Sequence, residues 1–185
     1  MFRIEYRLVN YDSDLLPKQK GEVLHENAYL LLNEMLDILG FKDINILKTA
    51  DGKPYIENNP VYFSISHTDG LVACCIADSP CGIDCEKIVK HDRVKELANR
   101  FFVENEIELI RNSGYSSEEF LKIWTCKEAI AKRLGCGLIK SRSIDSTKEN
   151  CSTMIENGYI ITINIWKSID FDKKMLYNIR EKIDI

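Results

Sequence analysis

Three stretches rich in β-branched, aromatic and small apolar residues follow one another with almost nothing between them: VYFSIS from Val61, LVACCIA from Leu71 and GIDCEKI from Gly82. Asp69-Gly70 separates the first two and Ser79-Pro80 precedes the third, and both dipeptides are turn formers. The middle of the chain therefore reads as consecutive antiparallel strands. The third stretch raises a question of charge. Side chains alternate between faces in an extended chain, so Asp84 and Glu86 point one way while Ile83 and Cys85 point the other. Two carboxylates on one small patch repel unless a cation or a proton lies between them. An exposed strand edge with an acidic outer face would carry the same letters.

The flanking segments define the fold class. In MFRIEYRLVN, Phe2, Ile4, Tyr6 and Leu8 fall on one face of a half-buried strand. From Glu22 to Leu39 the apolar residues Val23, Leu24, Ala28, Leu31, Leu32, Met35, Leu36 and Leu39 recur at helical spacing, and Gly40 supplies a C-terminal stop. Asp51-Gly52 marks a turn and Lys53-Pro54 an extended entry. Beyond GIDCEKI the texture becomes helical over 93–102 and 104–111. A serine-then-glutamate capping pattern at Ser116-Ser117-Glu118-Glu119 opens a longer helix that Gly135 and Gly137 end. Tyr159 to Trp166 and Met175 to Ile179 return to strand. This order predicts an α+β protein with helices packed on antiparallel sheet.

Composition narrows the class of function. The chain has 185 residues, 45% hydrophobic and 29% charged, enough for a sizeable core in a soluble protein. Its apolar runs are too short and too broken to span a bilayer, and its first residues lack the pattern of a secretory signal, so a cytoplasmic location is expected. The seven cysteines show no CxxC spacing and are expected to be reduced and mostly buried, without disulfides. A net charge of -4 argues against general nucleic-acid binding.

Two further segments could carry chemistry. In WTCKEAIAK, Trp124, Glu128 and Lys132 lie four residues apart and form one stripe along a helix. A Glu four residues before a Lys is also an ordinary surface ion pair. If Glu128 approaches Asp84 and Glu86, however, three carboxylates make a hard-oxygen site suited to magnesium, which shares its shell with phosphates. Lys132 would then meet a metal-bound phosphate as a second positive partner. In SISHT, Ser66, His67 and Thr68 are consecutive hydrogen-bonding groups at a strand end, suited to a phosphate or a ribose, although a lone strand-end His is commonly structural. Lys53 is another cation upstream.

Taken in order, FSISHT, GIDCEKI, RFF followed by an acid, and WTCKEAIAKRLGCGL resemble the 4'-phosphopantetheinyl transferase superfamily, in particular its Sfp-type branch, over roughly residues 53–138. The resemblance implies two similar α+β halves in one chain, a pseudo-dimeric fold with the active site in the cleft between them. Here the halves would be 1–78 and 79–185, the second carrying the acids, in a monomer. It implies that Asp84, Glu86 and Glu128 hold Mg2+ on the diphosphate of coenzyme A, and that Glu128 is the general base for an incoming serine. By the same resemblance Lys132 contacts the coenzyme's phosphates and Ser66 and His67 lie near its phosphorylated ribose; Lys53, the free cation upstream, is expected to join them in binding the coenzyme. Trp124 would fix the helix, and Phe101 and Phe102 would pack.

The implied reaction transfers 4'-phosphopantetheine from coenzyme A to a serine of an apo acyl or peptidyl carrier protein. Such carriers are acidic, and Lys87, Lys90, His91, Arg93, Lys95 and Arg100 form a basic segment that could receive one, or simply a solvated helix. One departure stands out. Many relatives of this branch carry basic residues on or just before the first helix, whereas HENAYLLLNEML is nearly devoid of them and Lys18 and Lys20 lie just upstream. A magnesium-dependent phosphohydrolase using the same acids, or a carrier-binding module without turnover, remain the alternatives.

Overall fold

The computed structural model describes residues 1–58 and 61–166, without the side chains of Leu138 and Ile139. The strand expected at 175–179 lies outside the described residues. Strand β1 (Phe2–Leu8) is followed by helix α1 (Pro17–Ile38), a small hairpin of β2 (Ile46–Lys48) and β3 (Pro54–Ile56), and then β4 (Tyr62–Thr68), β5 (Leu71–Ala77) and β6 (Cys81–Lys87). Helices α2 (Val94–Phe101), α3 (Glu104–Asn112), α4 (Ser117–Leu134) and the short α5 (Leu138–Ser141) come next, and β7 (Cys151–Glu156) and β8 (Tyr159–Ile165) close the described chain. The protein is α+β, as the order of elements predicts.

β1, β5 and β4 form one antiparallel sheet in that spatial order, and β6, β8 and β7 form another. The expectation of three consecutive hairpin-linked strands is therefore corrected at one connection. β4 and β5 pair across the Asp69-Gly70 turn, with Gly70 at a positive φ of 82°, but the Ser79-Pro80 turn carries the chain out of the first sheet and into the second. The reason lies in β5, which is buried along its whole length and is already paired on both edges, by β1 and β4. A strand paired on both sides has no edge left for β6.

The two sheets face each other through an apolar layer. Ile4 and Tyr6 of β1 and the odd-numbered residues of β5 meet Cys81, Ile83 and Cys85 of β6 and Tyr159, Ile161, Ile163 and Ile165 of β8. On the outer face of the first sheet, Val72, Cys74, Ile76 and Phe63 pack against Leu24, Ala28, Leu31, Leu32, Met35 and Leu36 of α1. The helical periodicity of α1 thus buries the face it advertises. Its start lies a turn earlier than the apolar pattern, because Pro17 suits a first helical turn and the Gln19 side chain accepts from the Leu16 N–H at 2.9 Å. On the outer face of the second sheet lies α4, opened by Ser116, whose hydroxyl accepts from the Glu119 N–H, and closed by Gly135 in the left-handed conformation.

Two contacts of α4 set its position. Gly82 of β6 lies directly beneath the helix, where a Cβ would come within 1.9 Å of the Ala129 carbonyl oxygen and 2.6 Å of the Arg133 nitrogen. Only glycine lets strand and helix backbones approach this closely. Cys126 in the middle of the helix is disulfide-bonded to Cys151 at the start of β7. This corrects the expectation that all seven cysteines are free. The two residues are 25 apart in sequence with no motif linking them, and only the packing of α4 beside β7 brings their Cα atoms to 6.0 Å.

Both contacts are testable by unfolding. Gly82→Ala must displace backbone, so it should lower stability by about 2 kcal/mol or more in denaturant titrations; a wild-type midpoint would show that α4 does not lie this close to β6. Thiol titration in denaturant without reductant should find five free cysteines. Cys151→Ser should lower the melting temperature by roughly 10 °C, since a loop of this length is stabilised by about 3 kcal/mol. Seven titrating thiols in protein purified without reductant would contradict the bridge.

Candidate active site

β4 and β6 are edge strands of different sheets, yet they run alongside each other, and a row of hydroxyls joins them. The Ser64 hydroxyl accepts from the Ile83 N–H at 3.1 Å, the Ser66 hydroxyl donates to Asp84 Oδ1 at 2.8 Å, and the Thr68 hydroxyl donates to Glu86 Oε2 at 3.2 Å. Residues 64, 66 and 68 share one face of β4 because strand side chains alternate. The same alternation on β6 sends Ile83 and Cys85 into the core between the sheets and Asp84 and Glu86 toward α4. Asp84 is buried and Glu86 partly so, so these acids do not lie on a solvated edge.

From α4, Trp124, Glu128 and Lys132 all sit half-buried on one stripe, as their spacing requires. Lys132 Nζ donates to Asp84 Oδ1 and to the Ser66 hydroxyl, both at 2.8 Å. The second oxygen of Asp84, Oδ2, is buried and has no hydrogen-bond partner among the described residues. Burial and the charge of Asp84 push the Glu86 carboxyl up to about 7, with Glu128 adding to the repulsion. Burial and then Asp84 raise Glu128 as well. The three acids thus feel one another's charge, although among the described residues no three His, Cys, Asp or Glu side chains are already grouped as a metal cage. Burial alone would lower Lys132, but Asp84 outweighs it and holds the ammonium protonated.

Other expected site residues stand around this centre. His67 points away from the acids on the opposite face of β4 and is exposed; its ring meets that of His25 from α1 with centroids 6.5 Å apart. Desolvation, then Lys132 and His25, lower its pKa. Lys53 is not a free cation: its Nζ donates to the Arg133 carbonyl at 3.0 Å near the C-terminal end of α4, and burial lowers its pKa. It lines a cavity of about 240 Å³ together with Lys132, Phe63, Gly135 and Cys136. Lys18 lies 3.8 Å from Glu22, and Lys20 donates to the Ser13 carbonyl, so both are engaged close to the start of α1. A second cavity, about 200 Å³ and mainly apolar, has Glu86 and His91 beside Leu97, Phe120, Leu121 and Trp124.

A residue that sequence reasoning left as a bare acid after RFF proves central to the support of the site. Glu106 is fully buried and forms an ion pair of 3.0 Å with Lys127, also fully buried, the residue just before Glu128. Glu106 also accepts from the Val103 and Ser146 N–H groups at 2.9 and 2.8 Å, and Lys127 donates to the carbonyls of Ile144 and Arg142 at 2.6 and 3.3 Å. The signal was present in the letters: an acid at the third position of α3 reaches back to cap its own helix. The aromatics behave as expected, with Phe101, Phe102 and Phe120 packing around Trp124 at ring separations of 5.4, 6.4 and 5.9 Å.

Comparison with known proteins bears on this arrangement. The family model described as the 4'-phosphopantetheinyl transferase superfamily matches residues 80–172, half of the chain, including β6 and α4. The chain is 34% identical over 151 residues to the 4'-phosphopantetheinyl transferase gsp of Aneurinibacillus migulanus, covering 73% of this chain and 62% of that one. It is 33% identical over 101 residues to HetI, a 4'-phosphopantetheinyl transferase of Nostoc sp., covering 51% and 43%. It is 34% identical over 99 residues to the 4'-phosphopantetheinyl transferase Sfp of Bacillus subtilis, covering 52% and 43%. The matched region is less than two thirds of each of these relatives. The acid strand, the WTCKE helix and the half of the chain that carries them make this protein a member of the 4'-phosphopantetheinyl transferase superfamily.

Proposed function

We propose that the protein transfers the 4'-phosphopantetheine group of coenzyme A to a serine of an apo acyl or peptidyl carrier protein, releasing adenosine 3',5'-bisphosphate. The observation that carries this reading is Lys132 seated on Asp84 at 2.8 Å, with Glu86 and Glu128 both raised by the charge of that same Asp84. It supports work on a diphosphate: the donors are oxygens only, Asp84 Oδ2 is a buried acceptor with no partner among the described residues, and the two glutamates are destabilised as anions. All three features fit a hard divalent cation such as Mg2+. Asp84, Glu86 and Glu128 would hold it, and when bound it supplies positive charge to the diphosphate oxygens.

The remaining chemistry belongs to the chain. A serine hydroxyl is a poor nucleophile at neutral pH, so a carboxylate must accept its proton as the new O–P bond forms. Glu128, half-buried on α4, is that base. The bond to the bridging oxygen of the diphosphate breaks, and the leaving bisphosphate carries away the electron pair. Lys132 meets the charge that grows on the phosphate oxygens, and this electrostatic contribution is the largest. Ser66 orients both Lys132 and Asp84 through its hydroxyl. His67 on the far face of β4 and Lys53 beside the cavity would contact the coenzyme's ribose phosphate and nucleotide side.

The division into halves at 1–78 and 79–185, with the site where they meet, is supported by the two sheets. Each is built from strands in the order first, third, second, with a helix packed on it from the segment after its first strand. The carrier would meet the basic segment 87–100, where Lys95 and Arg100 lie against the rings of Tyr115 and Phe101 and Lys87 is paired with Asp69 at 2.7 Å. We take the protein to act as a monomer in the cytoplasm; among the described residues no helix is long and apolar enough to cross a membrane.

Incubation with coenzyme A, Mg2+ and a purified apo carrier, followed by mass spectrometry of the carrier, tests the reading. Wild-type protein should add one phosphopantetheine per carrier, chelation of the metal should stop the reaction, and Asp84→Ala or Glu128→Gln should lower the rate about a hundredfold or more with the fold intact. Coenzyme breakdown without carrier modification would indicate a phosphohydrolase instead, and a folded Glu128→Gln protein at wild-type rate would remove Glu128 from the chemistry.

A further inference from the structure

Lys132 is bound directly to one of the three acids, Asp84, at 2.8 Å. Asp84 divides its two oxygens: Oδ1 receives Lys132 and Ser66, while Oδ2 is buried and has no partner among the described residues. The oxygen left for a cation and the oxygen held by the ammonium therefore belong to one carboxylate. A divalent ion on Oδ2 and the ammonium on Oδ1 would be close enough to repel strongly, because burial weakens solvent screening. Lys132 cannot swing freely into solvent, being held by the Ser66 hydroxyl from β4 as well as by Asp84 from β6. With Asp84, Glu86 and Glu128 ionised, the cluster carries three negative charges and Lys132 returns one of them.

We propose that Lys132 makes binding of the divalent ion conditional on the diphosphate. Its ammonium weakens the hold of the three acids on a free cation. A diphosphate brings negative oxygens that both positive groups can share, and it converts their repulsion into joint attraction. The ion and the coenzyme then bind with positive coupling, and by linkage each raises the other's affinity by the same factor. Lys132 is the source of much of that coupling. In this role it is a specificity-determining residue: it keeps the acids from taking up a cation, or a cation with a single weakly charged phosphate, in place of the full metal–diphosphate pair. The inference rests on the transferase reading for its ligand, but not on turnover.

Mn2+ is the probe, read by electron paramagnetic resonance at fixed pH with and without coenzyme A and with no carrier present. Wild-type protein should bind Mn2+ about tenfold or more tightly when coenzyme A is added. Lys132→Met and Lys132→Gln, each checked for native circular dichroism, should bind Mn2+ alone about tenfold more tightly than wild type and show a correspondingly smaller gain from coenzyme A. A folded variant that binds Mn2+ alone no more tightly than wild type overturns the proposal. So does wild-type protein with equal Mn2+ affinity in both conditions, a result that needs no variant. Conditional ion binding by a protein that modifies no carrier would uphold the inference and overturn the transferase reading; carrier modification with unconditional ion binding would do the reverse.

Discussion

Keeping Asp84, Glu86 and Glu128 within reach of one another's charge is the constraint on which the rest of the structure turns. Carboxylates that approach within a few ångströms cost free energy, and burial makes the cost larger. The chain meets it with geometry from three directions. Gly82 removes the side chain that would hold α4 away from β6, so the helix bearing Glu128 and Lys132 reaches the acid strand. The hydroxyls of Ser66 and Thr68 come across from the other sheet and donate to Asp84 and Glu86. Among the described residues Lys132 supplies the one positive charge in direct contact, and Glu86 nevertheless stays raised to about 7 by burial and Asp84. The cluster is compensated only in part, which leaves it an appetite for further positive charge.

A second polar investment lies behind the first. Lys127 and Glu106 are fully buried, and breaking a pair of this kind by removing one partner typically costs about 3–5 kcal/mol, because a charge is left without compensation. Such a pair gives little net stability against a well-packed apolar alternative. Its value here is directional. Lys127 is bound to α3 through Glu106 and to the segment before β7 through the carbonyls of Arg142 and Ile144, so α4 cannot rotate about its axis without losing these bonds. Because Glu128 is the next residue, the rotation of α4 that buries Lys127 on one side turns Glu128 toward β6 on another. The disulfide from Cys126 to β7 ties the same turn of the helix.

The features legible in the sequence are those governed by local periodicity. Alternation along GIDCEKI sorts Asp84 and Glu86 from Ile83 and Cys85, and spacing by four aligns Trp124, Glu128 and Lys132; both are consequences of backbone geometry within one element. The edges of β7 were not legible, since CSTMIE mixes polar and apolar residues on an edge strand of which no residue is fully buried. Nor was the exit of β6 from the first sheet, because that depends on β1 having taken the free edge of β5, more than sixty residues away in sequence. SISHT shows the limit most clearly. Its hydroxyls at alternate positions were visible as hydrogen-bonding groups, but their partners belong to another sheet, so an expectation of phosphate contacts left out the carboxylates they hold.

That apposition of two sheet edges explains where chemistry can arise in such a fold. The strand orders match in the two sheets, yet only the second contributes acids, and only β4 of the first contributes the hydroxyls that hold them. Within either sheet, a row of polar groups on an edge strand would face water and be screened. Set edge to edge and roofed by α4, the same groups are removed from bulk solvent, and each charge acts at higher strength. The side chains at the seam come from β4 of the first sheet, β6 of the second and α4. A site of this kind is assembled only when both sheets and α4 have come together.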